Sequence, residues 1–332
     1  MNVARDPFRH PAPDSEHVPA HSGHRPLHSW TSDHFSFDLP PGHPFPIAKY
    51  AALRARVIAE GLVHPDHLHR SEPAPLEWLE RAHDPAYVAR VIAGALDQAM
   101  LRRLGLPWSA ALVARARAAT TGTVLAARAA LDHGVAGNLA GGSHHAFRDR
   151  AEAYCLFNDI AVAIAVLRAE GRAARPLVID LDVHQGNGTA ALFAGDPGVF
   201  TFSIHAADNY PARKEQSTLD VALHAGAEDD EYLEALDRHL APAIASHRPD
   251  LVFYQAGVDG LAEDRFGRLG LTRAGLAERD ERVFGACERD ALPVVVTLGG
   301  GYGRPLETSL AAHLGVWRAA RVARDRRPEW KL

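Results

Sequence analysis

Leu177-Val178-Ile179-Asp180-Leu181-Asp182-Val183-His184-Gln185-Gly186-Asn187-Gly188 is the stretch whose reading decides the fold. It opens on three apolar residues, two of them β-branched, in a run too short for a helix. It then breaks into carboxylates, an imidazole and glycine. An apolar run without alternation is the pattern of a parallel strand buried on both faces. Three further runs share it: Val199-Phe200-Thr201-Phe202, Leu251-Val252-Phe253-Tyr254 and Val294-Val295-Val296-Thr297-Leu298. Helical patterns over residues 229–246 and 272–290 separate them. Upstream, Tyr50, Leu53, Val57 and Ile58 suggest a helix that ends at Gly61. Residues 110–132 read as a long helix stopped by Gly134, and a third helix runs from Ala161 to Ala169, towards Gly171. This alternation predicts an α/β protein: a single domain with a central, mainly parallel β-sheet flanked by helices.

The chain has 332 residues, 47% of them hydrophobic and 23% charged, a globular composition. Its formal charge of −5 gives no basic footprint, which argues against nucleic acid as a partner. Cys155 and Cys287 are the two cysteines; they form neither a disulfide framework nor a CxxC pair, which fits a reducing compartment. The apolar stretches are interrupted long before the ~18 residues of a membrane span, so no membrane association is expected and the cytoplasm is the default location. Residues 1–27, with scattered Pro and His, read as a mobile extension ahead of a catalytic domain over 28–325.

In open α/β sheets, ligands collect beyond the carboxyl ends of the strands. The unusual residues of this chain fall there. Asp180 to Gly188 follow one run, Gln255-Ala256-Gly257-Val258-Asp259-Gly260 another, and Gly299-Gly300-Gly301-Tyr302 a third. Gly137-Asn138-Leu139-Ala140 leads into Gly141-Gly142-Ser143-His144-His145. Four polar clusters are thus expected on one rim. In an extended segment, Asp180, Asp182 and His184 project together. An Asp oxygen and a His nitrogen are zinc-type ligands, and Asp259 can supply a third arm, leaving a position open for water as catalytic sites do. Any one of these clusters is often a solvated turn; the four together are not easily read so. Tyr302, on a glycine loop, is either a packed ring or a hydroxyl able to polarise a carbonyl.

Gly-Gly-Ser-His-His-Ala at 141–146, Cys155-Leu156-Phe157-Asn158-Asp159, the segment 180–188 and Gly-Gly-Gly-Tyr at 299–302 resemble the arginase/deacetylase fold and, within it, the histone deacetylase family. The resemblance runs from about Trp30 to Arg318. Gln185-Gly186-Asn187, the segment Leu39 to Pro46 and the segment Asn209 to Gln216 resemble the class IV branch and its bacterial relatives. The resemblance implies a metal-dependent amidohydrolase that removes acetyl or longer acyl groups from lysine side chains. Asp182, His184 and Asp259 would hold Zn2+, or Fe2+. His144 and His145 would handle protons, Tyr302 would donate to the carbonyl oxygen, and Asp180 would orient His144. A monovalent cation, K+ or Na+, would sit by Asp180 and Ser203. Ala153, Tyr154, Tyr210 and Gly300 would line the substrate tunnel.

Other readings weigh less. A dinuclear ureohydrolase of the same fold needs further carboxylates where Gly186, Gly257 and Leu261 stand. A non-catalytic acyl-amine binding module has no need of the full set of histidines, ligands and tyrosine. A small acylated amine such as an acetylpolyamine stays open as substrate, with Glu228, Asp229, Asp230, Glu263 and Asp264 as candidate acids near the tunnel mouth. Two departures from the family pattern stand out. Ala153-Tyr154 replaces a more usual Gly-Phe. Asn187 stands where many members carry an Asp behind the second histidine; an amide stabilises imidazolium less than a carboxylate, so His145 should titrate lower and act as a neutral base. Asn187→Asp should therefore move the pH–rate profile in the alkaline direction, and an unmoved profile would count against that role.

Overall fold

The apolar runs become strands because each feeds two cores at once. In the computed structural model, which describes residues 25–327, Leu177 and Ile179 enter one core while Val178 enters the other. Val252 and Tyr254 alternate with Leu251 and Phe253, and Val294 and Val296 with Val295, in the same way. The strands are β1 (Ser29–Thr31), β2 (Leu68–Arg70), β3 (Val135–Asn138), β4 (Pro176–Asp180), β5 (Phe200–Ala206), β6 (Leu219–Leu223), β7 (Leu251–Gln255) and β8 (Val294–Thr297). They form one sheet, all parallel, in the order β2-β1-β3-β8-β7-β4-β5-β6. The expected α/β architecture is therefore the observed one.

The helices are α1 (Ala48–Ala59), α2 (Leu76–Leu79), α3 (Pro85–Ala93), α4 (Gln98–Leu104), α5 (Ala110–His133), α6 (Asp159–Ala169), α7 (Asn187–Leu192), α8 (Asp229–His247), α9 (Arg273–Arg289) and α10 (Leu306–Arg326). Apolar residues of α3, α5 and α6 share one core; those of α1, α8, α9 and α10 share the other. Local chemistry sets the boundaries. The Ser109 hydroxyl accepts from the Leu112 amide at the start of α5, the Asn158 side chain from Ala161 at α6, and the Thr272 hydroxyl from Gly275 at α9. Among the described residues, no helix is long and apolar enough to cross a membrane.

Strands β1, β2 and β6 carry no continuous apolar run. The first two have three residues each, and β6 is an edge strand with alternating exposure. Residues 1–24 of the expected extension lie outside the described residues. Its last three pack on α10: the Arg25 amide donates to Asp325 (3.1 Å), Arg324 donates to the Pro26 carbonyl (2.9 Å), and Leu27 is buried.

One buried ion pair ties the second core to the strand ends. Arg279 of α9 is fully buried and meets Asp280 at 2.8 Å. Its guanidinium also donates to the carbonyls of Gly257 (2.6 Å) and Leu181 (3.3 Å), in the loops after β7 and β4. Asp280 takes the Tyr254 hydroxyl as well (2.5 Å). Truncating one partner of such a pair strands a buried charge and two carbonyls. Arg279→Ala should destabilise the fold by about 3–5 kcal/mol, read as a lowered urea midpoint at constant m; an unchanged midpoint would mean that the loops hold themselves.

Candidate active site

The sheet order departs from the chain order at its centre, where β3 lies beside β8 and β7 beside β4. The run β3-β8-β7-β4 places four neighbouring carboxyl ends side by side, and these are the ends that carry the four polar clusters. Asp180 is paired in register with Gln255 of β7 on one side and with Ser203 of β5 on the other.

Strand β4 ends at Asp180, so Asp182 and His184 lie beyond it and strand pleating does not align them as expected. The loop does so by turning. Asp180 faces His144, whose Nδ1 lies 2.8 Å from Asp180 Oδ2. Asp182 and His184 turn instead to Asp259: His184 Nδ1 is 3.1 Å from both Asp182 Oδ1 and Asp259 Oδ2. The remaining carboxylate oxygens accept backbone amides, Asp182 Oδ2 from Gly300 (2.7 Å) and Asp259 Oδ1 from Val183 (3.0 Å). The β4, β7 and β8 loops thus hold one another. A β-carbon at Gly300 would overlap the Asp259 carboxylate and crowd that of Asp182, so only glycine lets this loop approach.

Asp182, His184 and Asp259 are buried, and one ligand atom from each lies within 4.8 Å of the others. The electrostatics call for positive charge at this point. Burial opposes charging of His184, but the two carboxylates outweigh it and hold it at about 10. Burial and then the Asp182 charge raise Asp259 to about 6. One nitrogen and two oxygens from hard and borderline donors fit a divalent transition ion in a site with open positions. Among the described residues, this is the group of side chains that meets that geometry.

The tandem histidines sit beside it with ring centroids 4.0 Å apart, and their partners differ. His144 bonds to the Asp180 carboxylate; burial opposes its charge, yet Asp180 and Asp182 push it up to about 9. His145 Nδ1 bonds to Asn187 Oδ1 at 2.7 Å. Its pKa is held well below the usual imidazole value, as the sequence implies, but the leading cause is burial, followed by the charges of His144 and His184. The amide bond itself favours the charged form only weakly.

Gly141 and Gly142 both take positive φ (79° and 81°), which forms the turn ahead of the histidines. Asp159, at the head of α6, braces that turn by accepting from the Gly142 (3.0 Å) and Ser143 (2.7 Å) amides. Tyr302 is fixed from two sides. Asp264 accepts its amide (2.6 Å) along with those of Phe266 and Gly267. The buried Lys49 points its ammonium at the carbonyls of Gly299 (3.4 Å) and Gly301 (3.3 Å). Motif reading gives Asp159 no role, passes over Lys49, and offers Asp264 as an acid of the tunnel mouth. Their contacts span 16 to 252 residues of chain; Asp159 closes one motif and Lys49 follows another, but neither motif says what the side chain meets.

A cavity of about 560 Å³ opens onto these groups. Ala153, Tyr154, Tyr210, Gly300 and Tyr302 all line it. Ala153 and Tyr154 adopt positive φ (43° and 69°), the conformation that glycine takes more readily. The Tyr154 ring meets Phe45 edge-on (5.3 Å), and Tyr210 meets His145 edge-on (5.0 Å). Arg265 and Arg268 also line the cavity, whereas Glu228, Asp229, Asp230, Glu263 and Asp264 do not. Ser203 Oγ lies 3.0 Å from His205 Nδ1. Gln185 ties the segment 209–216, which brings Tyr210 to the cavity, to the β4 loop through the Glu215 carbonyl and amide (2.7 and 2.8 Å).

Comparison with known proteins agrees with this geometry. The histone deacetylase domain matches residues 43–316. An uncharacterised protein from a Picosynechococcus strain is 42% identical over 283 residues, covering 85% of this chain and 94% of that protein. The histone deacetylase-like amidohydrolase of Pseudomonas aeruginosa is 31% identical over 268 residues, covering 75% of this chain and 70% of that one. The crystal structure of a histone deacetylase homologue from Aquifex aeolicus shares the fold, with a TM-score of 0.76 at 24% identity over 90% of this chain and 84% of that one. With a match that begins just ahead of α1 and ends inside α10, and with the family's motifs gathered at one rim of the sheet, the chain belongs to the histone deacetylase family of hydrolases.

Proposed function

We propose that this hydrolase removes acetyl or longer acyl groups from lysine side chains of peptides or proteins, with one Zn2+ held by Asp182, His184 and Asp259. The observation that carries the reading is the convergence of those three ligand atoms beside two histidines with unlike partners. Fe2+ suits the same donors and is the alternative ion. The single triad favours a mononuclear site over the dinuclear ureohydrolase reading. When bound, the ion supplies Lewis acidity, polarising the acyl carbonyl and acidifying the attacking water.

The chain's own residues divide the remaining work. His145 accepts the water's proton at Nε2, because its Nδ1–H is given to Asn187. His144, backed by a carboxylate, carries the proton that the departing amine receives. The Tyr302 hydroxyl donates to the carbonyl oxygen as negative charge gathers on it. Tyr154 and Tyr210 flank the aliphatic arm, with Ala153 and Gly300 completing the tunnel wall. Asp180 and Ser203, paired in register on adjacent strands, support the K+ or Na+ site expected from the family.

The tunnel lining favours a peptide over a polyamine. Arg265 and Arg268 line the cavity, and the acidic residues that line it among the described residues are Asp182 and Asp259. A polycationic acetylpolyamine would meet guanidinium groups where it needs acids.

Tyr302→Phe should lose on the order of 10²-fold or more in turnover on a fluorogenic acetyl-lysine peptide while keeping its metal, as judged by elemental analysis; turnover equal to wild type would remove Tyr302 from the chemistry. Chelation should abolish activity and Zn2+ should restore it. Acetyl-lysine peptides should exceed acetylpolyamines in kcat/KM by about tenfold or more, and the reverse order would hand the substrate to the small amines. Metal loading with no turnover on any acylated amine would favour a binding module.

A further inference from the structure

Behind Asn187 stands a carboxylate that the sequence pattern does not single out. Asn187 Nδ2 donates to Glu152 Oε1 at 2.8 Å, and the Tyr210 hydroxyl donates to the same oxygen at 2.6 Å. Arg150 Nε lies 3.6 Å from the other oxygen. The Glu152 side chain is 15% exposed, so water competes little for these bonds. Its backbone is pinned by reciprocal hydrogen bonds with Cys155 (3.1 and 2.9 Å). Tyr210 then returns to the start of the chain of contacts by packing edge-on against His145. His145, Asn187, Glu152 and Tyr210 form a closed circuit on one wall of the tunnel.

The direction of every hydrogen bond in this circuit follows from Glu152. An ionised carboxylate only accepts, so Asn187 must present its NH2 group to it. The amide oxygen is then turned to His145 Nδ1, and an oxygen only accepts, so that nitrogen must carry the hydrogen. Nε2, the nitrogen left over, is free to take a proton. A flipped Asn187 would face His145 with NH2, require a bare Nδ1, and leave the hydrogen on Nε2, where it blocks the base. Asn187 alone has no preference between these two states.

We propose that Glu152 is a positioning residue that sets the tautomer of His145 through the Asn187 amide and locks Tyr210 into the tunnel wall with the same oxygen. In this chain, glutamate and asparagine together replace a carboxylate placed directly behind the histidine. The proposal rests on the deacylase reading insofar as His145 is the base. The hydrogen-bond order itself does not.

The test compares wild type, E152A, E152Q, N187D and E152A/N187D as Zn2+-loaded protein. Long-range 1H–15N spectra of the histidine rings report which nitrogen of His145 carries hydrogen, and kcat/KM on an acetyl-lysine peptide reports the consequence. Wild type should show Nδ1–H. E152A should lose that preference and about tenfold in kcat/KM, the scale typical of partners behind a metal site, with metal content unchanged. E152Q can turn either its oxygen or its NH2 group to Asn187, so the Nδ1–H preference should weaken and kcat/KM should fall part of the way towards that of E152A. N187D sets two carboxylates against each other and should fall about as far as E152A. In E152A/N187D the aspartate accepts from His145 directly, so the Nδ1–H signal returns and activity should recover to within about threefold of wild type. Simple addition of the two single losses in the double variant would overturn the proposal. An E152A protein that keeps the Nδ1–H tautomer and full activity would overturn it as well. The tautomer decides the role of Glu152 even if wild type turned over no acyl-lysine, an outcome that would count against the assigned activity alone.

Discussion

Two carboxylates and one imidazole share a small volume from which solvent is almost excluded. Left to themselves, Asp182 and Asp259 repel, and burial penalises each charge separately. The fold holds them together by giving each carboxylate a backbone amide from a loop other than its own, and Asp182 also accepts the His184 amide. The second oxygen of each then points at His184. This arrangement stores electrostatic demand that a divalent cation satisfies. Arg279 supports it from behind, bonding the carbonyls beside both loops without touching the ligand atoms.

Around that centre, the two histidines occupy matching positions with chemically unlike partners. A carboxylate behind His144 sustains charge on the ring; an amide behind His145 fixes orientation without doing so. The two bonds are nearly equal in length, so the difference lies in charge rather than geometry. Two buried rings side by side cannot both be charged cheaply, and unlike partners resolve that conflict.

Tyr302 faces the opposite problem. Its loop consists of glycines and would wander unless pinned. Asp264 holds it from the β7 side and Lys49 from α1. The tunnel wall is stiffened in a comparable way, with Gln185 and Glu152 each bonding a tunnel segment to the β4 loop or its continuation in α7.

The central strands, the helices α1, α5, α6, α8 and α9, and the gathering of Asp182, His184 and Asp259 at the strand ends were legible in the sequence. Buried parallel strands leave continuous apolar runs, and their carboxyl ends must carry whatever polar groups the site needs. The edge strand β6 and the three-residue strands β1 and β2 were not, because a short or half-exposed strand leaves no such run. Pleating in β4 was the wrong reason for the right grouping of Asp182 with His184, since the strand stops at Asp180 and the loop does the turning. Only the tertiary structure decided that β3, β8, β7 and β4 are neighbours. Only it revealed Lys49, Glu152, Asp159, Asp264 and Arg279 as supports. Such residues act through contacts between segments far apart in the chain, and side-chain periodicity records which way a residue faces, not what it meets there.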